Sequence, residues 1–152
     1  MNLSLRPATP ADLPRLAAMN KQLIEDEGSP NPMTIADLQE RMAGWLMTGR
    51  YRVETIIADE SIIGYTVYSI RKDTYFPDKF MVFVRQFFIA REHRRQGIGT
   101  QAFKLLADTR FPTDCTISLD VLAANPNGQR FWESLGFQPY AVNMKRPYWR
   151  KA

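Results

Sequence analysis

Arg94-Arg95-Gln96-Gly97-Ile98-Gly99-Thr100 is the stretch whose residue types and spacing come closest to chemistry. Two glycines two positions apart, at the start of a helical pattern, let a ligand approach the backbone without side chains in the way. The first N–H groups of a helix lack partners and carry the positive end of its dipole, roughly half an elementary charge. A phosphate or pyrophosphate suits such a place, and Arg94 and Arg95 add full positive charges at its edge. Three readings of the turn stay open. It is a plain helix cap with solvated arginines, a dinucleotide fingerprint, or a pyrophosphate loop of another design. Gly97-Ile98-Gly99-Thr100-Gln101-Ala102 does read G-x-G-x-x-A, and Asp120 follows about twenty residues on. In that fingerprint, however, the first glycine nearly abuts the strand, whereas here Ala90 to Gln96 intervene.

Other candidates are sparser. Glu25-Asp26-Glu27 ends a helical pattern, where carboxylates meet an unfavourable dipole. Glu25 and Glu27 there would favour a cationic amine, against the alternative of a solvated helix end. Cys115 and His93 are the only residues of their types, so neither a disulfide framework nor a Cys/His metal site is expected. Cys115 at a strand start reads as packing rather than as a nucleophile. Lys145-Arg146-Pro147-Tyr148-Trp149-Arg150-Lys151 mixes basic and aromatic residues. That pattern fits a solvated tail first, then a homodimer contact through Tyr148 and Trp149, then a nucleic-acid surface.

These residues need elements to hold them. A strand over Leu3–Arg6 opens the chain. Thr9-Pro10-Ala11-Asp12 starts a helix by capping-box logic, with its end near Gly28. Thr34 and Asp37 cap a second helix, with Met33 and Leu38 as a hydrophobic staple, and Gly49 stops it. The period then changes. Val53–Ala58 and Ile62–Arg71 form a hairpin around Asp59-Glu60-Ser61, and Phe80–Ile89 is a central strand broken only by Arg85-Gln86. A third helix follows the glycine turn, carrying Ile98, Ala102, Leu105 and Leu106. Thr116–Leu122 is a fifth strand. Asn125-Pro126 opens a fourth helix that Gly136 ends, and Phe137–Lys145 is a last strand. The order βααβββαβαβ describes one mixed α/β domain over residues 1–152. The antiparallel meander ahead of the glycine turn also argues against the dinucleotide fold.

The 152 residues carry 20 Lys and Arg against 16 Asp and Glu, a net charge of +4 that favours an anionic partner. No apolar run approaches the roughly 18 residues of a membrane span. Neither the opening residues nor the single cysteine points to secretion, so a reducing, cytoplasmic setting is expected.

Arg94, Gly97 and Gly99 together resemble the R/Q-x-x-G-x-G/A signature of the GNAT superfamily, the acyl-CoA-dependent N-acyltransferases. Asn125, Phe131, Gly136 and Phe137 resemble its second motif, N-x-x-A-x-x-F-Y-x-x-x-G-F. Gly128 stands at the small residue and Trp132 at the tyrosine. The run Asn31-Pro32-Met33-Thr34 is similar to one in many small bacterial members. The resemblance covers essentially the whole chain, and it favours the third reading of the turn.

The resemblance implies a mostly antiparallel sheet flanked by helices and splayed between the fourth and fifth strands. It implies acetyl-CoA as co-substrate, with no metal. The bulge would fall in Gln86–Ile89, and the main chain of Phe87, Phe88 and Ile89 would pair with the pantetheine arm. Arg94, Arg95 and the N–H groups of Gln96, Gly97, Ile98, Gly99 and Thr100 would hold pyrophosphate. Asn125 and Trp132 would lie along the arm. The family's usual base falls on Arg85-Gln86, neither of them a base at neutral pH, and its usual acid on Trp132, whose N–H is not a useful acid. Gln86, at the base's place, and Tyr140, as a substitute, are the catalytic candidates. The activity expected is acetyl transfer to a primary amine, on a small molecule or a peptide, by direct transfer in a ternary complex. A CoA-binding sensor of the same fold and a basic nucleic-acid-binding module are the alternatives. Neither a membrane nor a nucleic acid is the expected partner.

Overall fold

The computed structural model describes residues 2–152. Five strands form one sheet in the order β1 (Leu3–Pro7), β2 (Arg52–Ala58), β3 (Ser61–Lys72), β4 (Phe80–Ile89) and β5 (Thr116–Ser118). The first three pairings are antiparallel and β4–β5 is parallel. Helices α1 (Leu13–Asp26) and α2 (Ile35–Thr48) cover one face. Helices α3 (Ile98–Arg110) and α4 (Pro126–Ser134) lie on the other.

Local chemistry explains the boundaries. The Asp12 carboxylate accepts the Thr9 N–H at 2.8 Å, ahead of a single 3-10 turn and then α1. Thr34 and Asp37 satisfy each other's N–H groups at 3.0 and 3.1 Å, and Gly49 closes α2 in the left-handed region. Met33 packs beside Leu38, as the staple requires. Asp59 and Glu60 both take positive φ, the backbone of a tight two-residue hairpin.

One irregularity in β4 decides which side chains reach which face. Val67 pairs with Gln86 but Tyr68 pairs with Val84, so Arg85 is an extra residue. A single insertion reverses the alternation of a strand. Val82 and Val84 therefore face α3, whereas Phe88 packs among α1 and α2, and Phe87 and Ile89 return to the α3 side. The bulge begins one residue earlier than the expected Gln86–Ile89.

Two expected strands change. β5 is only Thr116–Ser118, because it meets β4 only at Met81–Phe83 and then diverges. Phe137–Lys145 forms no strand. Pro139 has no N–H to give a ladder, and Tyr140, Val142 and Met144 are exposed without a partner strand.

Candidate active site

The divergence of β5 leaves Arg85–Ile89 of β4 unpaired on one side. Along that stretch the main-chain groups alternate in direction. The Ala90 N–H donates to Ile63 of β3 at 2.7 Å, and the Phe88 carbonyl lies against Gly64 of the same strand. Phe87 and Ile89 thus turn their main chain into the gap. Phe88 is committed to β3, which removes it from the set expected to pair with a ligand's arm.

At the end of the gap the chain makes one 3-10 turn, Arg91–His93, and then the glycine turn. Arg95 and Gly97 both have positive φ, at 64° and 74°. Left-handed residues alternating with ordinary ones gather consecutive N–H groups into an anion-binding nest. The first bond of α3 runs from the Gln101 N–H to the Gly97 carbonyl at 3.1 Å. The N–H groups of Gln96, Gly97, Ile98, Gly99 and Thr100 therefore find no acceptor among the described residues.

The two glycines serve different ends. A side chain at Gly97 would meet nothing within 4 Å, so its freedom is conformational and it keeps the turn open. A Cβ at Gly99 would lie 3.1 Å from the Phe131 ring. Gly99 therefore gives room to α4, not to a ligand.

The arginines also differ from expectation. Arg94 turns inward: its Nε donates to the Ile89 carbonyl at 2.7 Å, its Nη2 pairs with Asp26 at 2.7 Å, and it lies over the Phe88 ring. Arg91 pairs with Asp26 at 2.8 Å and Glu25 at 3.2 Å, and those hydrogen bonds, Asp26 first, raise its pKa. Two of the carboxylates at the end of α1 thus hold the loop before α3. Arg94 is committed to Ile89 and Asp26, and Glu25 keeps an exposed carboxylate beside Arg91. Of Arg91, Arg94 and Arg95, it is Arg95 that stays exposed with no salt bridge among the described residues.

Glu27 remains. It is half-buried, and burial, helped by neighbouring Asp26, raises its pKa. Next to it, Gly28 comes close to Ala124, where a Cβ would find Ala124 Cβ at 3.4 Å. That brings the end of α1 to the mouth of the gap, beside Asn125. The fields of Glu27 and Arg41 both act on the buried Tyr65 hydroxyl, with opposite sign. Tyr65 in turn donates to Gln86 Oε1 at 2.9 Å, which fixes the expected Gln86 as a positioned amide.

Asn125 accepts the Gly128 N–H at 3.0 Å and so caps α4, leaving its amide nitrogen free for a ligand. A Cβ at position 128 would meet that side chain, which explains why glycine replaces the usual small residue there. Trp132 sits edge-on to Phe87, Phe103, Phe131 and Phe137 at ring separations of 4.8 to 5.6 Å. It walls the α4 side of the gap. Tyr140 is 99% exposed, and the structure does not bring it into the site. Burial pushes the Cys115 thiol up, away from reactivity. No cluster suited to a metal ion occurs among the described residues, and no helix there is long and apolar enough to cross a membrane.

Sequence reasoning missed Arg41, Asn20 and Tyr65 on the α1–α2 face. Arg41 is at a helical spacing that looks merely solvated, and only the packing of α2 on α1 reveals its burial.

The sequence matches the acetyltransferase (GNAT) family over residues 16–137. No curated protein matches it. Solved structures share the fold. A single-site mutant of the BH1408 protein from Bacillus halodurans is 20% identical, with a TM-score of 0.79 over 96% of this chain and 99% of that one. A predicted acetyltransferase from Clostridium acetobutylicum, solved with acetyl-CoA, is 15% identical, with a TM-score of 0.71 over 95% and 96%. An aminoglycoside N-acetyltransferase in complex with CoA is 19% identical, with a TM-score of 0.73 over 99% and 95%.

Proposed function

The chain belongs to the GNAT acetyltransferase family, and from that premise we propose that it moves the acetyl group of acetyl-CoA to a primary amine by direct transfer in a ternary complex. The observation that carries this reading is the open side of β4 running straight into a nest of free N–H groups. Phe87 and Ile89 offer main-chain groups to a pantetheine arm, the N–H groups of Gln96 to Thr100 receive the pyrophosphate, and Arg95 supplies charge. The Asn125 amide and the Trp132 wall orient the arm near the thioester.

The chemistry rests on positioning. Holding thioester and amine together in one cleft supplies a large share of such a rate. A free N–H of the splayed strand is placed to receive charge as it develops on the carbonyl oxygen. Glu27, half-buried and with its pKa raised, attracts the ammonium form of the acceptor and takes its proton. Gln86, held by Tyr65, orients rather than transfers a proton. The acceptor is a small molecule or a peptide end, and the single half-buried cysteine suits a cytoplasmic setting.

A melting curve with acetyl-CoA tests the cofactor. At a hundredfold excess over Kd, linkage gives about 2.7 kcal/mol of stabilisation. For a chain of this size that is a rise of roughly 5–10 °C. No rise at millimolar acetyl-CoA rejects the reading. Thiol release with an amine panel then separates an enzyme from a sensor. The sensor reading is favoured by two facts, that Gln86 is held by Tyr65 and that Tyr140 lies in solvent.

A further inference from the structure

On the face opposite α3, two arginines converge without a counter-ion. The Arg41 guanidinium lies 4.8 Å from the Trp45 ring centroid, and that of Arg85 lies 5.1 Å from the same ring. Arg85 also reaches the Tyr51 hydroxyl at 3.4 Å. Neither arginine forms a salt bridge among the described residues. Placing like charges together over one ring is costly unless something of opposite sign joins them. Burial, and then the charge of Arg85, lower the pKa of Arg41, so the pair repels itself as it stands.

A second observation is independent of those charges. Asn20 is fully buried, and its side-chain oxygen accepts from Arg41 at 3.4 Å. Its amide nitrogen has no partner, and neither does Arg41 Nε. Buried donors left unpaired are costly, so native structures seldom keep them idle. Donors without acceptors, beside charges without counter-charges, describe a receptor for an oxyanion. A planar carboxylate matches the guanidinium fork.

The position of this receptor gives it meaning. Arg85 is the bulge residue next to Gln86, and Gln86 holds Tyr65. Glu27 and Arg41 both act electrostatically on the Tyr65 hydroxyl, so a negative and a positive group share its neighbourhood. We propose that the acceptor is an amine that carries its own carboxylate, an amino acid, with its carboxylate on Arg41 and Arg85 and its amine toward Glu27. This inference rests on the transferase reading and deepens it by naming the substrate class.

The test compares matched acceptors by thiol release: amino acids, their amides, their decarboxylated amines, and amines bearing a phosphate instead. The free carboxylates are expected to show a KM lower by about tenfold or more than their amides, as for one charge-assisted contact. Arg85→Gln should erase most of that difference, and Arg85→Lys should restore part of it. Arg85 is exposed, so neither change threatens folding. Equal KM for amides and acids, or a preference for the phosphate series, overturns the proposal.

A binding arm keeps the question separate from catalysis. Trp45 is the floor of the receptor, so its fluorescence should respond saturably to N-acetyl amino acids in the presence of CoA. Their amides should give no response, and neither should the acids with Arg85→Gln. A response to amides, or none to acids, overturns the carboxylate site whatever thiol release shows. Loss of the acetyl-CoA melting shift instead overturns the transferase reading beneath it.

Discussion

Arg94 and Asp26 are joined by a 2.7 Å ion pair that ties the turn before α3 to the end of α1. The same guanidinium donates to the Ile89 carbonyl, so one side chain closes the end of β4, braces the turn before α3 and reaches α1. It also resolves an oddity of the sequence, three carboxylates at the wrong end of a helix. Asp26 and Glu25 sit there because Arg91 and Arg94 meet them.

Arg94→Lys should therefore weaken acetyl-CoA binding without any direct contact being lost. A lysine keeps the charge but cannot serve a carbonyl and a carboxylate with one planar fork. Losing one such bond is worth about 1.5 kcal/mol, or roughly tenfold in Kd. Titration calorimetry with acetyl-CoA reads this directly, and an unchanged Kd would show that the nest stands without its brace.

Gly97→Ala should cost about 1–2 kcal/mol of stability, because its φ of 74° is left-handed and alanine resists that region. Since nothing crowds the position, the loss is one of backbone shape. The acetyl-CoA melting shift should fall with it as the nest relaxes.

Glu54 lies on the α3 face, buried, taking the Arg110 guanidinium at 2.7 Å and the Tyr68 hydroxyl at 2.5 Å. Burial and the carboxylate both hold the Tyr68 proton in place, raising its pKa. Glu54→Ala leaves Arg110 and Tyr68 unpaired and should cost about 3 kcal/mol, at the low end for a broken buried pair because Arg110 reaches solvent. Urea unfolding measures it. The acetyl-CoA shift should survive, since this network lies apart from the gap.

Glu27 gives a pH dependence with a definite sign. Its folded pKa is raised, so the ionised form is the disfavoured one in the folded state. Its contribution to stability is intact below the ordinary glutamate value of about 4.3 and is lost as pH rises through the raised value. Glu27→Gln should melt with the wild type in acid and above it at neutral pH. The same change should raise the acceptor KM at neutral pH, a gain in stability at the expense of function. Melting curves and thiol release across pH check both halves.

Most of this architecture was legible because its signals are local. Thr34 with Asp37, Gly49 and the apolar run Phe80–Ile89 each fix an element within a few residues, and the structure keeps them all. The glycine turn was legible for the same reason. What escaped needed partners distant in sequence. Nothing near Arg94 reveals that it turns inward to Asp26. The burial of Asn20 and Arg41 depends on how α1 and α2 pack. The expected last strand failed because its alternation, Tyr140, Val142, Met144, describes a strand without naming a neighbour for it.

Gly99 and Phe131 carry one further consequence, in the history of the sequence. A Cβ at 99 would stand 3.1 Å from the ring at 131, a few tenths of an ångström too near, between α3 and α4. Size at 99 and the set of the ring at 131 are therefore coupled. A lineage that drifts to alanine at 99 should show the ring, and α4 with it, displaced slightly outward.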